Sequence, residues 1–135
     1  MVNTHFIISL FHVFVSGPLL IYIGLTKSYN FLFSLLLFLF GITIITAFIY
    51  KYLNKQLYAW LYIHLFLFAS LFIYISYLRF TQKPIADYLY SFLVAIGIAA
   101  VGYHIIKLYK YGKNDKNNLL LLYFIRSIII IVFLY

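Results

Sequence analysis

The chain has no cysteine, two acidic residues and two prolines in 135 residues. Without cysteine there is neither a disulfide framework nor a thiolate metal site. With two acids in all and no paired carboxylates, carboxylate acid–base chemistry is nearly excluded. No hydrolase elbow or phosphate loop is present. Charged residues make up 9% of the chain, against about a quarter in a soluble domain. So few charges cannot coat a globule in water. Disorder is excluded too, because it needs high charge and low hydrophobicity.

What is present is apolar: 67% of residues are hydrophobic and 23% aromatic. Ten Lys and Arg give a formal net charge of +8. They fall in short gaps between long apolar runs rather than in a patch with base-stacking aromatics. That arrangement suits membrane topology and lipid headgroups, and it argues against nucleic acid as a partner.

A membrane span needs roughly 20 apolar residues at about 1.5 Å rise per residue. Five segments meet or approach that length: Phe6–Leu25, Phe31–Tyr50, Leu57–Leu78, Ile85–Leu108 and Leu119–Tyr135. The first lacks a basic lead and a small-residue cleavage pattern, so it reads as a retained helix rather than a secretory signal. Runs such as Leu35 to Phe40 do not alternate, which excludes barrel strands. The sequence therefore predicts an all-α polytopic bundle of five spans forming one membrane domain over residues 1–135. Pro84 suits the first helical position of the fourth span, with Asp87 at the positive end of its dipole.

Short connections make neighbouring spans antiparallel. Lys51, Lys55, Lys107, Lys110, Lys113 and Lys116 then share the face of the N-terminus, and Lys27, Arg79 and Lys83 lie opposite. The positive-inside rule puts the N-terminal face in the cytoplasm. Trp60, Tyr52, Tyr58, Tyr62, Tyr109 and Tyr111 form an aromatic belt near it.

The stretch from Phe11 to Ile23 resembles that from Ile63 to Ile75. His12 pairs with His64, and Ile-Tyr-Ile with Ile-Tyr-Ile. Downstream, Gly41 pairs with Gly97 and Lys51 with Lys107. The expectation is two parallel helical-hairpin repeats, about 5–53 and 57–110, followed by a terminal span at 119–135.

His12 and His64 lie about seven residues into their spans, His104 about four from the end of its own, and Arg126 about seven into the fifth. At about 1.5 Å per residue, all four groups fall roughly 6–10 Å below the same surface. His5, Ser9, His12 and Ser16 form one polar stripe, which turns toward protein or water. Gly97, Ala100 and His104 share another face, whose small residues permit close helix packing. His12, His64 and His104 are thus candidates for a proton relay, a divalent metal site or axial haem ligation. Ser9, Ser16, Tyr103 and Arg126 would support them. The competing reading is a structural bundle that organises a membrane, as a homo-oligomer or with other membrane proteins, its histidines hydrogen-bonded and inert. The sequence names no reaction and leans away from enzymatic activity.

The run from His12 to Gly24, containing Gly17-Pro18-Leu19-Leu20-Ile21-Tyr22-Ile23, and the later Gly102-Tyr103-His104-Ile105-Ile106-Lys107 resemble small polytopic membrane proteins of giant DNA viruses. The resemblance implies a virion or host-cell membrane and transfers no catalytic residue.

Overall fold

The computed structural model describes residues 4–27 and 30–114, and their regular structure is entirely helical. Helix α1 (Thr4–Phe11) passes through a π-helical segment (His12–Ser16) into α2 (Gly17–Thr26). After α3 (Phe31–Leu53), α4 (Ala59–Ile63) passes through a second π segment (His64–Ala69) into α5 (Ser70–Phe80), and α6 spans Asp87–Asn114. Four stretches are long and apolar enough to cross a bilayer: Phe6–Thr26, Phe31–Leu53, Ala59–Phe80 and Asp87–Lys110. These match the first four expected spans. The fifth, Leu119–Tyr135, lies outside the described residues, and Arg126 with it.

The helix ends follow from local chemistry. Asn30 caps α3, its side-chain oxygen accepting from the Leu32 N–H at 2.9 Å, which satisfies one of the first-turn donors. At the other end Lys55 takes a left-handed φ of 54°. Its N–H then reaches Tyr52 O at 3.1 Å and the Gln56 N–H reaches Lys51 O at 2.9 Å, a Schellman closure without glycine. The same closure ends α5: Gln82 has φ 54°, with Gln82 N–H on Arg79 O at 3.1 Å and Lys83 N–H on Leu78 O at 2.8 Å.

That second closure corrects the expected role of Pro84. Lys83 is committed to ending α5, and a residue before proline avoids the helical region. Pro84 therefore falls in the connection, and α6 opens at Asp87, with Leu89 N–H on Ala86 O at 3.0 Å. Asp87 does occupy the first turn, where the dipole favours an acid. It also accepts a hydrogen bond from Lys27 Nζ at 2.8 Å.

Hydroxyls inside the spans bond to their own helices. Thr43 donates to Leu39 O at 2.8 Å and Thr46 to Ile42 O at 2.9 Å, both on exposed positions. An i−4 bond of this kind lets a polar side chain face hydrocarbon without an orphan donor.

Packing groups the described residues into two units, 4–22 with 93–114, and 23–92. In the second unit α3 lies against the second π segment and α5. A β-carbon on Gly41 would stand 2.7 Å from Ile73 Cγ1 and 3.3 Å from Ala69 O, so glycine sets the approach there. Deeper, the buried Ser76 hydroxyl donates to both Ser34 O and Phe72 O at 2.8 Å. Leu37, Phe72 and Ile75 are buried in the same unit.

In the first unit the close approach is between Gly17 and Gly97. A β-carbon on Gly97 would meet Gly17 O at 2.8 Å and Ile21 Cγ1 at 2.7 Å. One on Gly17 would collide with the Val101 side chain and stand 3.3 Å from Gly97 O. Leu20, Leu93 and Leu108 are buried in the same unit. The Gly17 N–H bonds to His12 O, five residues back. This wide turn sits directly before Pro18, which cannot donate to a preceding carbonyl.

Candidate histidine site

The close backbone approach at Gly17 and Gly97 brings the polar stripe of the first span against α6. His12 opens the π segment, and His104 lies two turns beyond Gly97. Their rings meet with centroids 4.4 Å apart and planes tilted by 54°. Ser9, one turn before His12 on the same stripe, has no exposed surface, and its Oγ lies 3.0 Å from His104 Nδ1. His104 is buried and His12 half-buried. The Tyr103 and His104 ring centroids lie 5.1 Å apart in an edge-to-face arrangement, and those of Phe11 and His12 6.0 Å apart. Ser16 is buried one turn further along.

The Ser9–His104 contact has a chemical property that a contact to a carbonyl would lack. A hydroxyl both donates and accepts. When Nδ1 carries a proton it donates to the Ser9 oxygen; when Nδ1 is bare it accepts the Ser9 hydrogen. The buried imidazole therefore keeps a partner in either tautomer.

His64 belongs to the other unit and is held differently. Its Nδ1 lies 2.8 Å from Trp60 O, one turn back. A carbonyl only accepts, so Nδ1 carries the proton and Nε2 is the accepting nitrogen of the neutral ring. Trp60 and Phe68 pack edge-on against it, at 5.3 and 5.0 Å. Arg126, the remaining supporting candidate, lies outside the described residues.

The geometry bears on the cofactor readings. A haem iron held between two imidazoles would lie about 2 Å from each nitrogen and part the ring centroids to about 6 Å. At 4.4 Å, His12 and His104 leave no room for a macrocycle between them. Among the described residues no three of His, Cys, Asp and Glu gather where they could hold a metal ion. The arrangement is a histidine pair with a serine. What the spacing of the sequence does not announce is the reciprocal Gly17–Gly97 approach that sets the separation of the rings. Its only signal is the small-residue face ending at His104.

No family model, curated protein or solved structure matches the chain.

Proposed function

We propose that the protein is a multi-pass membrane protein that takes up and passes single protons at His12 and His104. The observation that carries this reading is the ring contact of 4.4 Å between them, with Ser9 at 3.0 Å as a partner suited to either tautomer. Imidazole is the side chain whose ordinary titration lies nearest physiological pH. Two charges at this separation repel strongly away from bulk water, so the pair holds one extra proton at a time and hands it between rings. Ser9 follows each change by rotating its hydroxyl.

Comparison of the two units supports chemistry over packing. In the register that aligns His12 with His64 and Gly41 with Gly97, Gly17 aligns with Ala69 and Ile21 with Ile73. Gly41 approaches Ala69 and Ile73 just as Gly97 approaches Gly17 and Ile21. Both π segments open on the aligned histidines. We infer that residues 5–53 and 57–110 derive from one repeated helical hairpin, each unit pairing the first span of one copy with the second span of the other. In that register Ser9 corresponds to Leu61 and His104 to Phe48. One unit thus uses apolar residues where the other has serine and histidine, so packing alone does not require the polar pair. The cytoplasmic placement of the N-terminus rests on the lysine distribution, and a viral or host-cell membrane on the resemblance in the His12–Gly24 run.

The structural reading keeps one specific observation: the Ser9–His104 hydrogen bond also ties the first span to α6. Proton flux into liposomes loaded with a pH-sensitive dye separates the two. The pair predicts flux above that of empty liposomes, abolished by His12→Ala and by His104→Ala and retained in His64→Ala. Flux equal to empty liposomes, or flux indifferent to both substitutions, would refute it.

A further inference from the structure

We propose that His64 binds haem, its Nε2 taking one axial position on the iron. This reading is independent of the His12–His104 pair, which belongs to the other unit.

His64 is prepared as a ligand in a way that His104 is not. The Trp60 carbonyl at 2.8 Å keeps the proton on Nδ1, which fixes the lone pair on Nε2. A histidine that ligates a metal almost always donates its other N–H to such an acceptor, which orients the ring and raises its basicity. Among the described residues the contact with Trp60 O is the one hydrogen bond of this side chain, so Nε2 is not committed to another group of the chain. Trp60 and Phe68, one turn to either side, stand edge-on to the imidazole at interplanar angles of 70° and 73° and hold its plane. His64 also opens a π segment, and such wide turns recur at functional sites.

The setting selects the ligand. His64 is half-buried and lies within the apolar stretch Ala59–Phe80. Trp60 and Leu67, each within one turn of it, are 45% and 49% exposed. A bare acceptor nitrogen at membrane depth is costly, so its partner must itself be at home among acyl chains. A hydrated divalent cation is not. Held by side chains alone, such an ion also needs roughly three or four of them, and no three gather among the described residues. Haem differs on both counts. Its macrocycle is apolar and supplies the equatorial nitrogens itself, so a single imidazole completes the attachment by displacing water from the iron. Its carboxylates favour a cation at the membrane surface, and Lys55 stands exposed in the connection before α4.

Ferric haem titrated into the full-length protein in detergent micelles tests the assignment. The Soret band should shift from its position in empty micelles and saturate at one haem per chain. His64→Ala and His64→Gln should each return the band to the empty-micelle position, the glutamine keeping bulk and polarity without an imidazole. His12→Ala and His104→Ala, in the other unit, should retain the shift. A band identical to that in empty micelles would overturn the proposal and leave Nε2 to a lipid hydroxyl. A shift that survives both His64 substitutions, or that is lost with His12 or His104, would overturn it as well. Proton flux is expected to persist in His64→Ala, so this reading and the proton reading fail separately.

Discussion

The backbones of Gly17 and Gly97 approach so closely that a β-carbon on Gly97 would stand 2.8 Å from Gly17 O and 3.0 Å from Ile21 N. Both neighbours are backbone and cannot swing aside. Gly97→Ala should therefore force the first span and α6 apart and cost about 2 kcal/mol, as overpacking does. Gly102, five residues further along α6, meets nothing within 4 Å. Gly102→Ala should be neutral or stabilise by up to about 1 kcal/mol through helix propensity. Unfolding titrations in mixed micelles would compare them, and equal effects would deny the close approach.

Ser76 and Thr43 test a second distinction. The Ser76 hydroxyl bonds to another helix as well as its own, whereas Thr43 serves only its own helix. Ser76→Ala should cost about 0.6–1.7 kcal/mol, the span from the average to the largest interhelical hydrogen bonds measured by double-mutant cycles in a membrane protein. Thr43→Val should stay within about 0.5 kcal/mol, as substitutions at exposed positions usually do.

Much of this was legible in the sequence because the bilayer fixes span length and excludes exposed backbone. Residue counting along rods put His12, His64, His104 and Arg126 at one depth, since each residue advances about 1.5 Å, but it did not single out His12 and His104 as the two that meet. Which non-consecutive helices touch was not legible. Short loops constrain neighbours in sequence, while the pairing of the first span with α6 depends on where Gly17 and Gly97 meet. Pro84 misled because its helix-starting preference competes with the closure of α5 through Gln82 and Lys83. The wide turn at His64 has no proline near it to announce it, and the one at His12 borders a proline that suggests only a kink.

The Lys27–Asp87 pair is short but exposed, at 55% and 79% for the two side chains. Water and salt screen such a pair, so a double-mutant cycle with Lys27→Ala and Asp87→Ala should give a coupling below about 1 kcal/mol. Raising the salt from 50 mM to 1 M should erase most of it. A coupling that persists in high salt would mean the pair is drier than its exposure implies.

The sharpest experiment replaces both partners at the histidine site together. Removing Ser9 or His104 alone leaves a buried polar group without its mate, and each single change should cost about 1–3 kcal/mol. Ser9→Ala combined with His104→Phe removes both polar ends at once, and phenylalanine is the residue, Phe48, that the proposed repeat aligns with His104. Exchanging a hydrogen-bonded pair for apolar groups of similar shape can be close to neutral, so the double variant should lie within about 1 kcal/mol of the parent and below the sum of the single costs. It should nevertheless pass no protons, because one of its two titrating rings is gone. A double variant that folds and still conducts would show that the imidazole pair is not the proton path. One that is less stable than either single variant would show that the histidine holds the helices together, with chemistry secondary.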